Sequence, residues 1–140
     1  MYTVIVGGGK VGSHLAKMLA EQGHRVSLIE VLPARVDVLR DEMAAAGVNL
    51  VCGDGDEPSA LEDVDVRTAD ALVAATGHDE DNLVVTLLGK NEYRVPFTIA
   101  RINNPRNEWL FTEEFGVDMP VSNTQMMAEL LDKCVMKGLC

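Results

Sequence analysis

Aromatic side chains make up only 4% of this 140-residue chain. The interior must therefore be filled by aliphatic and alanine side chains, as strands buried on both faces of a parallel sheet require. Positive charge is also short: 12 Lys and Arg stand against 22 Asp and Glu, for a net charge of −10. A surface of that sign repels a phosphate backbone and anionic lipid, which argues against nucleic-acid binding and against electrostatic attachment to a membrane. No apolar run reaches the ~18 residues of a spanning helix, and no charged-then-apolar leader opens the chain. A cytoplasmic protein with no direct lipid insertion is expected. The three cysteines, Cys52, Cys134 and Cys140, are an odd number without metal-ligand spacing. They argue against a disulfide framework, and Cys52 and Cys134 read as buried thiols. His14, His24 and His78 are scattered, and read as surface or local capping residues rather than a metal site.

What is present is concentrated in residues 2–30. An apolar strand, residues 2–6, runs into Gly7-Gly8-Gly9-Lys10-Val11-Gly12. A helix follows, with Val11, Leu15, Met18 and Leu19 spaced as one buried face. A second strand, Val26–Glu30, ends on an acid. Gly7, Gly9 and Gly12 fit G-x-G-x-x-G. The first lets the chain turn out of the strand, the second leaves room for a pyrophosphate, and the third lets the helix pack on the sheet. The helix N-terminus then aims free N–H groups at the phosphates, with Lys10 beside them. Glu30 lies 18 residues after Gly12, near the offset of roughly 20 expected for an acid that binds an adenosine ribose.

The rest of the chain repeats strand and helix. Pro33 suits a first helical turn, Val36, Leu39 and Met43 form that helix's apolar face, and Gly47 stops it. Further strands are expected at Val48–Cys52, Ala69–Ala75, Phe97–Ile102 and Val117–Val121. A short helix should start at Glu57-Pro58. Asp79 is placed to cap a helix with a buried stripe of Leu83, Val84, Leu87 and Leu88. Asn104-Pro105 opens another helix, carrying Trp109, Leu110 and Phe115 and ended by Gly116. Ser122 with Gln125 forms a capping box for a last helix, residues 123–138. The expected fold is α/β: a single-domain, Rossmann-type, doubly wound parallel sheet of six strands with helices on both faces.

Ligands of such sheets bind at the carboxyl ends of the strands. These ends carry Gly7–Gly12, Glu30, Asp54-Gly55, Thr76 and Arg101. Asp54 either reaches an adenine amino group or serves as a turn aspartate. Thr76 either contacts a ribose or phosphate or caps a helix. Arg101 either meets the ligand or makes a surface ion pair. The acids around Asp54–Asp65 and Asp79–Asp81 read as solubility and helix N-terminal charge, and no metal site is assigned to them.

Taken together, these motifs resemble the nucleotide-binding domain of bacterial and archaeal Trk-type potassium-uptake regulators, the RCK or KTN family. The resemblance runs through Val6–Gly12, Gly23-His24-Arg25-Val26, Ile29-Glu30, Gly53-Asp54, Ala75-Thr76-Gly77, Asp81-Asn82, Ile99–Asn103 and Phe115–Asp118. It implies a regulatory domain rather than an enzyme, spanning residues 1–140 and binding NAD(H), or ATP and ADP. It also implies a place at the inner face of the membrane, beside a membrane-embedded potassium transporter or channel subunit, and assembly as a homo-dimer or higher oligomer. Nucleotide contacts fall by the same pattern on Gly7, Gly8, Gly9, Lys10, Val11, Glu30, Asp54, Gly55, Thr76 and Arg101. The segment 123–138, rich in Met126, Met127, Leu130 and Leu131, would cross to a neighbouring subunit. Glu30 departs from the family's usual Asp, and the second small lobe found in many members is not expected within residues 1–140. The alternative is an NAD-dependent oxidoreductase domain. Against it, no Tyr-x-x-x-Lys or paired His/Asp constellation remains outside the nucleotide fold. NADP is disfavoured, because Val31, Leu32, Pro33 and Ala34 follow Glu30 and the first base, Arg35, is already inside a helix.

Overall fold

The computed structural model describes residues 1–123. The strands are β1 (Tyr2–Val6), β2 (Arg25–Glu30), β3 (Asn49–Cys52), β4 (Ala71–Ala74), β5 (Phe97–Ile102) and β6 (Met119–Ser122). The helices are α1 (Lys10–Glu21), α2 (Pro33–Ala46), α3 (Pro58–Asp63) and α4 (Asp79–Leu87). The strands form one sheet in the order β3-β2-β1-β4-β5-β6, and every neighbouring pair is parallel. The predicted six-stranded, doubly wound sheet is therefore what forms.

Alternation along the strands divides the core. Ile5, Leu28 and Val73 pack with α1 and α2 through Ala16, Leu39 and Met43. Val4, Val6, Ile29 and Leu72 pack on the opposite face with Leu61 of α3 and Val85 of α4. Helix α2 follows its sequence closely. Pro33 occupies its first turn, Val36, Leu39 and Met43 are buried, and Gly47 ends it in the left-handed region at φ 80°. A proline without an N–H belongs at a helix start, and a glycine tolerates the left-handed cap.

Helix α1 is turned relative to expectation. Its buried residues are Gly12, Ser13 and Ala16, while Leu15 and Leu19 are half-buried and Val11 and Met18 are exposed. The smallest side chains face the sheet because the helix lies almost on the strand end. A Cβ at Gly12 would stand 1.8 Å from the Gly7 carbonyl oxygen.

Helix α4 also differs from its apolar stripe. It buries Asn82, Val85 and Thr86, while Leu83 and Leu88 are half-buried and Val84 and Leu87 are exposed. Polar residues can occupy the inner face because their groups are paired there. Thr86 Oγ1 lies 3.1 Å from the Phe115 carbonyl it can donate to.

Asp79 does not cap α4, since His78 is the cap residue. The buried Asp79 carboxylate instead accepts from the N–H groups of Asn103 (2.6 Å) and Asn104 (2.9 Å) and from Asn107 Nδ2 (2.9 Å). It ties α4 to the end of β5. Burial alone would raise its pKa, but these donors hold it below the usual carboxylate value.

The helix expected after Asn104 resolves into two 3₁₀ turns, Pro105–Leu110 and Glu113–Phe115, with Asn104 Oδ1 accepting from Arg106 N–H at 3.0 Å. Gly116 closes the second at φ 79°. Three strands are shorter or later than expected. β3 begins at Asn49, β4 is confined to Ala71–Ala74, and β6 is Met119–Ser122. Cys52 is exposed rather than buried, because it ends β3 at the open edge of the sheet. The helix 123–138, its capping box, Cys134 and Cys140 lie outside the described residues.

Gly12→Ala drives a methyl group into the Gly7 carbonyl, a backbone atom that cannot rotate away. It should destabilise the domain by about 1–3 kcal/mol, the usual range for overpacking, as measured by urea unfolding.

Candidate nucleotide-binding site

A cleft of about 290 Å³ opens at the carboxyl ends of β1, β2, β3 and β4. Its apolar floor is Val6, Ile29 and Ala75, and its polar rim includes Glu30, Asp54, Asp56, Thr76, Asp81 and Arg101. Seven residues singled out from sequence line it: Gly7, Gly9, Glu30, Asp54, Gly55, Thr76 and Arg101.

Two glycines shape the cleft by close approach. Gly7 leaves β1 at φ 111°, where a Cβ would also lie 2.8 Å from the Ala75 carbonyl carbon. Gly55 lies over the end of β1, and a Cβ there would come within 2.3 Å of Val6 Cγ1. Gly9 differs from both, since a Cβ there would meet nothing within 4 Å. Its missing side chain leaves space above the loop rather than relieving a clash.

Gly8, Lys10, Val11 and Gly12 do not line the cleft. Gly8 is buried beneath it, against Glu30 and Leu39. The side chains of Lys10 and Val11 lie along a separate depression with His14, Leu15 and Met18. With their side chains there, Lys10 and Val11 have only backbone left for the loop side. The first bond into α1 is donated by Ser13 N–H to the Gly9 carbonyl, at 3.0 Å. The N–H groups of Gly9, Lys10, Val11 and Gly12 therefore have no acceptor among the described residues. With the helix dipole they form an anion-binding end.

Glu30 is buried and holds this loop. Its Oε1 accepts Gly8 N–H at 2.8 Å, and its Oε2 accepts Leu32 N–H at 2.8 Å. A carboxylate has about four lone-pair sites, so two remain for ribose hydroxyls. Asp54 is a turn aspartate, with Oδ1 accepting from Asp56 N–H at 2.9 Å, and it lines the cleft as well.

Thr76 is committed more firmly than its sequence suggests. Asn82, fully buried, donates through Nδ2 to the carbonyls of Thr76 (3.1 Å) and Arg101 (2.9 Å). Its Oδ1 accepts both Thr76 N–H (3.0 Å) and Thr76 Oγ1–H (2.7 Å). The single hydroxyl proton of Thr76 is thus used within the protein. Toward a ligand Thr76 acts as an acceptor, suited to a ribose hydroxyl and not to a phosphate. Arg101 makes no ion pair among the described residues, so its charge is available to the cleft.

Sequence reasoning read Asp56 and Asp81 as solubility and helix N-terminal charge, and placed Arg35 inside a helix without a part in the site. Asp56 and Asp81 approach from the loop after β3 and from the first turn of α4. Partial burial, a hydrogen bond with Asp81 and the charges of Asp81, Asp54 and Glu57 push the Asp56 carboxyl up to about 7. Acids 25 positions apart give no spacing signal. Arg35 reaches back from α2 to donate its Nε–H to the Gly8 carbonyl at 2.7 Å.

A parallel α/β sheet with a glycine-rich turn, a donor-rich helix start and an acid at the end of β2 defines a Rossmann-type nucleotide-binding domain. The family profile of the TrkA-N domain matches residues 3–123, and the chain belongs to that family. It is 41% identical over 138 residues to the Trk system potassium uptake protein TrkA of Mycobacterium tuberculosis, an alignment covering 99% of this chain and 61% of that protein. The chain thus spans less than two thirds of that relative. Among solved structures it is similar to the TrkA-N domain of the inner membrane protein ybaL from Escherichia coli, with a TM-score of 0.81, 22% identity and 94% of each chain covered. It is also similar to GsuK bound to ADP, with a TM-score of 0.76, 24% identity, and coverage of 95% of this chain and 33% of that one. The GsuK channel bound to NAD matches with a TM-score of 0.74, 19% identity, and 86% and 21% coverage. At these identities the structural likenesses establish the fold.

The Asp56 carboxyl generates a pH-dependent prediction. Its folded pKa lies above the ordinary carboxylate value, so the folded chain holds an extra proton between about pH 4 and pH 7, and stability falls as pH rises through that window. Asp56→Asn should raise the unfolding temperature at about pH 8 and leave it near the parent value at about pH 4. Thermal unfolding at the two pH values checks this.

Proposed function

We propose that this chain is a nucleotide-sensing regulatory domain that binds NAD(H), or ADP and ATP, and acts on a membrane-embedded potassium transporter or channel subunit. The observation that carries the reading is the cleft itself. It joins Gly9 at the start of α1, the buried Glu30 carboxylate and the acceptor Thr76 in a chain of the TrkA-N family. The relative named above is a potassium uptake protein, and GsuK, of the same fold, has been solved with NAD and with ADP.

Within this reading each group has one task. The diphosphate lies at Gly9, Lys10 and Val11 N–H, with Arg101 countering its charge. Glu30 accepts from the adenosine ribose, and Asp54 and Gly55 border the adenine. Thr76 accepts from a second ribose hydroxyl. The ligand touches the ends of β1, β2, β4 and β5 together, so its arrival and departure alter how the loop after β3 sits against α4. That is the form in which a small molecule can be read by a partner protein. The domain extends over residues 1–140, works at the cytoplasmic face through its membrane partner, and assembles as a homo-dimer or higher oligomer, with residues 123–138 contributing to that contact. Among the described residues no helix is long and apolar enough to cross a membrane.

A second reading, an NAD-dependent oxidoreductase, rests on the Asp56 carboxyl poised at about 7 in the cleft, a value suited to proton transfer. The regulatory reading expects no turnover. NADH incubated with a panel of carbonyl compounds should lose its nicotinamide absorbance no faster with the protein than without it, and steady consumption would favour the enzyme.

Glu30 provides the sharper measurement. Its two bonds to backbone N–H groups serve any nucleotide, while its acceptance from a ribose 2′-hydroxyl serves only ligands without a 2′-phosphate. Glu30→Ala should therefore weaken NAD binding by roughly tenfold to a hundredfold. It should weaken NADP binding less, which narrows the preference for NAD. Titration calorimetry with both cofactors reads the ratio directly; an unchanged ratio would remove Glu30 from the ribose.

A further inference from the structure

The glycine-rich loop is held from outside at successive groups. Gly7 N–H donates to the Ile29 carbonyl at 2.8 Å, Gly8 N–H to Glu30 Oε1 at 2.8 Å, and the Gly8 carbonyl accepts Arg35 Nε–H at 2.7 Å. Two of these bonds come from β2, and the third comes from the first turn of α2.

The Arg35 bond bears on Gly9. No peptide bond among the described residues is cis, and in a trans peptide the C=O and the following N–H point in opposite directions. An arginine that holds the Gly8 carbonyl toward α2 therefore holds the Gly9 N–H away from α2. Gly9 lines the cleft, its N–H has no acceptor among the described residues, and the space a side chain there would fill is empty.

Among the described residues no other hydrogen bond is made to that peptide; Ser13 bonds to the Gly9 carbonyl, which belongs to the following plane. Glu30 grips Gly8 N–H, which belongs to the preceding peptide plane. The flanking residues, Gly8 and Gly9, have no Cβ to resist a rotation of the plane between them. Arg35 itself does not line the cleft and has no carboxylate partner within 4.0 Å among the described residues.

We propose that Arg35 is a positioning residue: its bond to the Gly8 carbonyl fixes the Gly8–Gly9 peptide so that the Gly9 N–H faces the phosphate groups of a bound nucleotide. The proposal rests on the nucleotide-binding reading above and adds to it a residue outside the cleft that governs affinity for the phosphate part of the ligand.

Two substitutions separate the bond from the charge. Arg35→Gln places a neutral N–H donor the same number of bonds from the backbone as Nε. Arg35→Met removes donor and charge together. Each chain is titrated with ADP and with adenosine at one ionic strength. Arg35→Met should lose about tenfold in ADP affinity, while Arg35→Gln stays within about threefold of the parent. Adenosine, which lacks the phosphates, should bind all three chains alike, a result that a general disturbance of the cleft would not give. Equal loss of ADP affinity in Arg35→Gln and Arg35→Met would mean that the charge acts directly, and would overturn the proposal. So would a parallel loss of adenosine, or an unchanged ADP affinity in Arg35→Met. A parent chain that binds neither ligand would instead overturn the nucleotide reading, before Arg35 is in question.

Discussion

The contact between Gly12 and the Gly7 carbonyl oxygen is the constraint on which the rest of the structure depends. With a Cβ position only 1.8 Å from that oxygen, α1 begins almost on top of the end of β1. Three features follow. The inner side of α1 must be Gly, Ser and Ala, so its larger apolar side chains are turned to half-buried and exposed positions. The turn between strand and helix is short, so the first N–H groups of α1 stand at the rim of the sheet, where ligands of parallel sheets bind. The loop that makes this turn is Gly7-Gly8-Gly9, which makes it deformable and leaves its shape to be set by neighbours. Glu30 and Arg35, from either side of the β2–α2 turn, supply that shape.

The same economy appears on the other side of the cleft. β4 stops at Ala74, and the last bond beyond it runs from Ala75 N–H to the Val6 carbonyl. Asn82 takes over, bonding to the backbone of Thr76 and of Arg101 and so joining the ends of β4 and β5 to α4. Asp79, one turn earlier, does the same for residues 103–107. A buried amide or carboxylate is tolerated where its acceptors and donors are all matched. Here most of the matching partners are backbone groups at and just beyond the ends of β4 and β5, so satisfaction of the polar core and placement of the site are one arrangement.

The fold was readable in the sequence because its signals are local. Alternating strand and helix, Pro33 and Gly47 at the ends of α2, and the glycine spacing each follow from rules acting over a few residues. The cleft residues at the strand ends were readable for the same reason, since topology alone places them. What escaped was non-local. The inner face of α4 carries Asn82 and Thr86, and hydrophobic periodicity assigns such residues to solvent, because it cannot see that their partners lie 19 and 29 positions away. Asp79 read as a cap because a capping pattern is local, whereas its donors come from beyond β5. Arg35 read only as the first base after Glu30, already inside a helix, because no spacing rule connects it to Gly8. The 3₁₀ turns after Asn104 replace the longer helix expected there, so an apolar side chain such as Trp109 is left 75% exposed.

Charge across the cleft bears on the proposed role of a sensor rather than a tight, permanent cofactor site. The N-terminal end of α1 and Arg101 favour an anion, while Asp54, Asp56 and Asp81 line the same cavity and oppose one. These acids crowd one another enough that Asp56 keeps its proton to about 7. A diphosphate entering this cleft gains from aligned donors and loses from nearby carboxylates, and the balance depends on the charge that the ligand brings to the acidic side. A ligand with a cationic group there relieves the crowding, and one with additional phosphate increases it unless a cation accompanies it. Under the proposed function, opposed terms of this kind would leave a moderate net affinity that responds to ligand charge. Occupancy would then follow changes in nucleotide pools, which a site saturated under all conditions cannot do.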